Sequence, residues 1–134
     1  MPDARVQLES GPNHPITVEP FDSHVVVRSG STMIAETDRA LELREAAYPA
    51  VLYIPLEDVD SVHVRPNELR TWCPYKGQAS YYDIVDSDAE GTDLTAAVWY
   101  YPEPFAAVAS IGGHVAFYAD RVAITTSAND SAVG

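Results

Sequence analysis

Residues 70–77 hold the densest cluster of chemically distinctive side chains in the chain. They include its only cysteine, Cys73, and its only lysine, Lys76. Lys76 and Arg70 are two of eight cations in a chain of net charge −12, so a patch that retains them is suited to a carboxylate or a phosphate. The structural alternative is that residues 74–77 form a turn between two strands and that Arg70 pairs with an acid.

Cys73 and His114 are the candidates for catalysis. Cys73 would act as a nucleophile if a nearby histidine or cation lowered its pKa, whereas an unpaired cysteine is more often a small buried hydrophobe. His114 follows Gly112 and Gly113, where the backbone can approach a ligand; a hydrogen-bonded structural histidine is the alternative. The four histidines lack the spacing of a metal site, so no metal and no cofactor are predicted.

Asp58 and Asp60 form a D-x-D pair, a pattern that nucleotidyltransferases use to hold metal ions and a triphosphate. Its expected companion is a Gly-Ser turn that opens a helix, and Gly30 and Ser31 do occur upstream. They stand in a predicted hairpin turn almost thirty residues before the acids, without a phosphate loop. The context that would support this chemistry is missing.

Aromatic side chains form a second group of candidates. In a strand through residues 99–101, Trp99 and Tyr101 share one face, and Phe117 shares a face with Val115 in a later strand. Core packing accounts for some of these rings, and the surplus is suited to lining a pocket for a small planar ligand. The predicted ligand-binding residues are Arg70, Trp72, Tyr75, Lys76, Trp99, Tyr101 and Phe117.

The spacing of apolar residues predicts a mainly antiparallel β domain of about eight short strands with one or two helical turns. A hairpin is expected over residues 24–35, with its turn at Gly30. Residues 41–45 are ambiguous between a helix and a half-buried strand, and their alternation favours the strand. A strand over residues 62–65 is predicted to end at Pro66, and a short helix is predicted over residues 104–111.

Charge and composition narrow the classes of partner. The 134 residues carry 20 acids against eight Lys and Arg, so nucleic acids and anionic membranes are not expected as partners. One cysteine permits neither an internal disulfide nor a Cys-rich zinc site. No apolar run approaches the ~18 residues of a membrane span, and the amino terminus lacks a signal-peptide core, so a cytoplasmic location is expected.

The domain organisation is predicted to be simple. A chain of 134 residues has the size of one domain, here placed over residues 14–125. Residues 1–13 and 126–134 are rich in turn-forming, small and polar residues and are expected to be flexible. An exposed strand edge could pair with a second copy, which leaves a homo-oligomer open.

Six short stretches, read in order, resemble the bacterial family called domain of unknown function 427. The two most specific are residues 73–77, Cys-Pro-Tyr-Lys-Gly, and residues 113–118, Gly-His-Val-Ala-Phe-Tyr. Trp72 stands where many members have a tyrosine, and the resemblance spans residues 14–125. The other stretches are His14-Pro15-Ile16, Tyr53-Ile54-Pro55, Ala79-Ser80-Tyr81 and Trp99-Tyr100-Tyr101-Pro102.

The resemblance implies a small antiparallel β fold of the kind called a β-tent, similar to the Mss4-like and methionine sulfoxide reductase B group. Many proteins of that group bind zinc through paired cysteines, which Cys73 alone cannot supply. Some relatives hold a small planar ligand in a cage of aromatic rings. The family is sometimes labelled nucleotidyltransferase, and it provides no established catalytic residues for this chain.

Three hypotheses of function follow. The first is a binding domain whose aromatic-lined pocket holds a small polar or anionic ligand, oriented by Arg70 and Lys76. The second is an enzyme that uses Cys73 or His114, or the two acids of the D-x-D pair. The third is an interaction module that pairs through a strand edge. The first hypothesis requires that rings and cations from separate strands line one cavity.

Overall fold

The computed structural model describes residues 7–8, 10–85 and 94–128, and within them ten strands form two open antiparallel sheets. The mainly antiparallel β fold predicted from the sequence is confirmed. The strands are β1 (Ile16–Pro20), β2 (Ser23–Ser29), β3 (Thr32–Thr37), β4 (Leu41–Glu45), β5 (Val51–Pro55), β6 (Val64–Cys73), β7 (Gly77–Ile84), β8 (Leu94–Tyr100), β9 (His114–Phe117) and β10 (Ala123–Ala128). Three 3₁₀ turns cover Leu56–Asp58, Ser61–His63 and Ala106–Ile111.

The larger sheet has seven strands in the order β1-β4-β5-β9-β8-β7-β6, and the smaller has three in the order β10-β2-β3. The predicted hairpin is β2 and β3, whose turn holds Gly30 at a φ of 59°, a conformation that glycine adopts without steric cost. Residues 41–45 form a strand, as their alternation predicts. Leu43 is buried and Arg44 is exposed because successive side chains point to opposite faces.

Each face of the larger sheet packs against a different element, which gives two hydrophobic cores. The first core lies against the smaller sheet and combines Val25, Val27 and Ile34 with Ile54, Val98, Val115 and Phe117 of the larger sheet. The second lies on the opposite face, under the 3₁₀ turn at Ala106–Ile111. It contains Leu43, Tyr53, Ala79, Tyr81, Tyr101, Val108, Ile111 and Ala116. Because both faces are covered, both sets of alternating side chains are largely apolar.

Strand β6 corrects one expectation. The strand predicted to end at Pro66 continues to Cys73, so residues 70–73 lie in the same strand as Pro66. β6 is the last strand of the sheet, and an edge strand tolerates proline because one side of it needs no hydrogen-bond donors. A shift of register between Asn67 and Arg70 gives this strand a bulge.

Smaller differences lie at the ends and turns. The helix predicted over residues 104–111 is the 3₁₀ turn at Ala106–Ile111, kinked at Val108. β10 continues to Ala128, three residues past the predicted end of the domain. Leu8 donates a backbone hydrogen bond to Pro74 (2.8 Å), whereas residues 1–6, 9 and 129–134 of the predicted flexible ends lie outside the described residues. None of the helical segments in the described residues is long and apolar enough to cross a membrane.

Candidate functional site

A cavity of about 250 Å³ lies on the face of the larger sheet that carries the second core. Its walls come from β4, β5, β7 and β8 and from the loops that join the strands. Five aromatic rings dominate the lining, and one acid and one base are the only charged groups among the described lining residues. The lining residues are Leu43, Glu45, Val51, Tyr53, Lys76, Tyr81, Trp99, Tyr101 and Tyr118.

Strand register places Trp99 at the centre of the aromatic wall. Trp99 pairs with Tyr81 of β7 on one side and with Ala116 of β9 on the other. Since alanine leaves space beside the indole, Tyr53 packs edge-on to it at 6.4 Å, and Tyr118 lies at 4.5 Å between ring centroids. These two ring contacts hold the indole in place by packing.

Lys76 and Glu45 form an ion pair at the cavity. Lys76 Nζ donates to Glu45 Oε1 at 2.5 Å, and the two side chains are only 10% and 16% exposed. The second carboxylate oxygen accepts a hydrogen bond from His14 Nε2 at 2.7 Å. The His14 ring stacks in turn on Tyr75, with centroids 3.8 Å apart. Glu45 therefore joins the β6–β7 turn to the chain that precedes β1.

The backbone around Lys76 is held in a tight turn. Lys76 donates its N–H to Cys73 at 3.2 Å, and its carbonyl accepts from Phe105 at 3.0 Å. Gly77 follows with a φ of 118°, and a Cβ there would lie 3.2 Å from the carbonyl oxygen of Glu103. Glycine is therefore favoured at this position, and the chain makes the turn between two strands that the structural alternative describes, from the end of β6 to the start of β7.

Burial and hydrogen bonding set the protonation states in the cavity. Burial opposes ionisation of Glu45, but the hydrogen bonds from Lys76 and His14 outweigh it, and the pKa of the carboxyl lies below its ordinary value. Burial raises the pKa of both Tyr53 and Tyr101 well above the ordinary range. Both phenols are neutral near pH 7, so each keeps a hydroxyl proton.

The hydrogen bonds leave donors available in the cavity. The indole of Trp99 can only donate, so its contact with the Tyr53 hydroxyl (3.2 Å) makes that oxygen the acceptor and leaves the Tyr53 hydroxyl proton free to donate. An ammonium group has three N–H donors, and Glu45 is the only partner of Lys76 Nζ among the described residues. The arrangement is suited to a ligand that accepts hydrogen bonds.

The structure divides the seven predicted ligand-binding residues between the two faces of the sheet. Lys76, Trp99 and Tyr101 line the cavity together. Tyr75 lies outside the lining and reaches the site only through its stack on His14. The remaining three, Arg70, Trp72 and Phe117, belong to the opposite face.

The period of two along a strand explains the division. Arg70 and Trp72 are two residues apart in β6 and share a face; they line a separate groove of about 530 Å³ with Tyr100. Phe117 pairs with Val98 of β8, and its ring packs in the first core. The structure therefore brings three of the seven predicted residues to this cavity and places the other four elsewhere.

The catalytic candidates lie outside the cavity lining. Cys73 is half-buried against the second core. His114 donates from Nδ1 to the carbonyl of Gly112 at 2.9 Å, as a structural histidine would. Neither side chain is among the described lining residues.

The D-x-D acids have structural partners. Asp58 accepts from the Thr37 hydroxyl at 2.6 Å and pairs with Arg39 at 3.3 Å. Asp60 accepts from the Val62 N–H at 3.2 Å and caps the turn that follows. In the parts of the chain that the structure describes, no three His, Cys, Asp or Glu side chains are placed to share a metal ion.

The seven predicted ligand-binding residues leave out four that line the cavity: Glu45, Tyr53, Tyr81 and Tyr118. A signal for Glu45 was present, because alternation puts it on the same face as Leu41 and Leu43. An acid in register with core leucines needs a buried partner, and the chain has one lysine to offer. The three tyrosines carry no comparable signal, since core packing explains each one.

The fold and the cavity define the protein as a mainly β domain with an aromatic-walled pocket built around a buried ion pair. The sequence model of the family described as domain of unknown function (DUF427) matches residues 17–128, and the chain belongs to this family. The resemblance based on residues 73–77 and 113–118 is thereby confirmed. No curated protein matches the sequence.

Proposed function

We propose that the cavity around Lys76 binds a small molecule with a planar body and a group that accepts hydrogen bonds. The observation that supports this most directly is the position of the chain's only lysine. Lys76 is buried at a cavity with aromatic walls, where its ammonium group keeps donors beyond the one that Glu45 uses. Burying an ammonium group costs desolvation free energy, so a lysine that served stability alone would be expected at the surface.

The walls favour a planar body. Trp99 and Tyr118 present rings to the cavity, and flat ligands gain both buried apolar area and ring contacts from such walls. A volume of about 250 Å³ lies below the range of roughly 300–1,000 Å³ that holds drug-sized ligands, so the ligand is small. The net charge of −12 favours such a ligand over a nucleic acid or an anionic membrane, in keeping with a cytoplasmic protein.

A screen with an internal control for the site tests this proposal. Amino acids, nucleotides and planar heterocycles, neutral and anionic, are screened for thermal stabilisation, and hits are titrated by tryptophan fluorescence. The chain has two tryptophans, Trp99 in the cavity and Trp72 on the opposite face. The fluorescence response should persist in Trp72→Phe and be lost in Trp99→Phe.

A pair of charge deletions separates the two faces by affinity. Lys76→Met removes a donor from the cavity and should weaken a hit by about ten-fold or more, the cost of a lost hydrogen bond to a charged group. Arg70→Met removes the same charge from the other face and should leave the affinity unchanged. Hits that respond only to Trp72 and Arg70, or a screen without any hit, would refute binding in the cavity.

A further inference from the structure

The charges at the cavity cancel. Glu45 gives one oxygen to Lys76 at 2.5 Å and the other to His14 at 2.7 Å. Glu45 and Lys76, the two charged side chains among the described lining residues, together carry no net charge. Lys76 is the only cation among the described residues that line the cavity. A ligand therefore meets donors there without meeting an excess of positive charge.

We propose that Glu45 makes this cavity selective for neutral ligands, and that the bound group is an uncharged acceptor, such as an amide carbonyl or a ring nitrogen, on a planar body. The inference rests on the proposed function of the same cavity and names its ligand class. It narrows the expectation of a polar or anionic ligand to the uncharged alternative. Glu45 acts here as the residue that determines specificity.

An anion would face three opposing effects. Its attraction to Lys76 is countered by repulsion from the Glu45 carboxylate, which is bonded to the same ammonium group. It would lose its hydration in a cavity whose walls are mostly aromatic rings and aliphatic side chains. The chain as a whole carries a net charge of −12, which repels anions before they arrive.

A neutral acceptor avoids the electrostatic repulsion and loses less hydration free energy. The carbonyl oxygen of an amide accepts from the remaining N–H groups of Lys76 or from the Tyr53 hydroxyl, whose oxygen already accepts from Trp99. An uncharged polar group is also much less costly to desolvate than a carboxylate. The donors and the apolar walls therefore favour the same chemical class.

Matched pairs of probes test the charge preference. Within each of three pairs, the two probes differ chiefly in charge. The pairs are benzamide and benzoate, nicotinamide and nicotinate, and anthranilamide and anthranilate. We expect the amide to bind the wild-type protein at least about ten-fold more tightly than its carboxylate, measured by calorimetry and by Trp99 fluorescence. The affinity of the amide should be nearly independent of NaCl concentration, since no net charge is being paired.

Glu45→Gln should reverse the preference. The variant leaves Lys76 without its counter-charge, so the carboxylate should gain about ten-fold or more in affinity while the amide changes little. His14→Gln, which cannot be protonated, is the control for a charged imidazole and should leave the preference as in the wild type. Circular dichroism checks that each variant is folded. The comparison of amide and carboxylate affinities in the wild-type protein does not depend on the variants.

The outcomes distinguish the selectivity for neutral ligands from binding in the cavity. Tighter binding of the carboxylates to the wild type, no binding of any amide, or an unchanged preference in folded Glu45→Gln would each overturn the selectivity for neutral ligands. The first of these results would leave the binding cavity itself standing, because the signal would still depend on Trp99. Only the absence of a Trp99-dependent signal throughout the broader screen would refute the cavity as a binding site.

Discussion

Glu45 and Lys76 are 31 residues apart in the chain, and their side chains meet across 2.5 Å. Three strands lie between β4, which ends with Glu45, and β7, which begins after Lys76. Four strand spacings in a flat sheet would separate them by roughly 19 Å, which exceeds the reach of both side chains. The larger sheet is therefore curved, and the cavity lies on its concave face.

Breaking this pair should cost much more than breaking an exposed one. Lys76→Met leaves the Glu45 carboxylate without its cation in a mostly buried site and should lower the free energy of unfolding by about 3 kcal/mol. The matched control is Arg44→Met, which breaks the exposed pair with Glu42 and should cost less than about 0.5 kcal/mol. Urea unfolding measures both, and equal losses would contradict the structural role of the buried pair.

Acid should remove the contribution of Glu45 to stability. Its pKa is lower in the folded protein than in the unfolded chain. The contribution is therefore complete above the ordinary glutamate pKa of about 4.3 and is lost as the pH falls through the folded value. The difference in unfolding free energy between the wild type and Glu45→Gln should shrink as urea titrations move from pH 6 toward pH 3. A constant difference would show that the carboxylate charge is not responsible.

His24 should have the opposite dependence on pH. Its ring nitrogens lie 2.6 Å from Asp38 and 2.7 Å from Glu36, and these hydrogen bonds raise its pKa. The stability it contributes is complete below the ordinary histidine pKa of about 6.5 and is lost as the pH rises through the raised folded value. NMR titration should show an elevated midpoint that returns toward the ordinary value in the Asp38→Asn variant. High salt should weaken the effect, because the site is exposed.

Gly77→Ala should destabilise the protein more than Gly30→Ala. A side chain at Gly77 combines a φ of 118° with a 3.2 Å approach to the Glu103 carbonyl, at an expected cost of about 3 kcal/mol. Gly30 has a φ of 59° and nothing within 4 Å of a new Cβ, so only the left-handed conformation is penalised, by about 1 kcal/mol. Thermal unfolding compares the two, and similar losses would mean that the contact near Gly77 relaxes.

The residues of the candidate site were predictable only where alternation along a strand and residue type both indicated the same face of the sheet. Trp99 and Tyr101 follow from alternation in a strand that the sequence marks clearly, and both line the cavity. Arg70 and Trp72 are grouped with Lys76 by their closeness in sequence, within residues 70–77. In the structure β6 continues past the proline, and alternation within it places these two side chains on the opposite face.

The sequence by itself determined the mainly β fold, the family and the unusual residues at 73–77, because alternation, turn chemistry and residue type are local properties of a chain. Only the tertiary structure decided that Lys76 meets Glu45 and that Phe117 turns away from Trp99. Those relationships depend on the order of strands, on their register and on the curvature of the sheet. These are set by long-range pairings whose partners lie too far apart in the chain for any local pattern to specify.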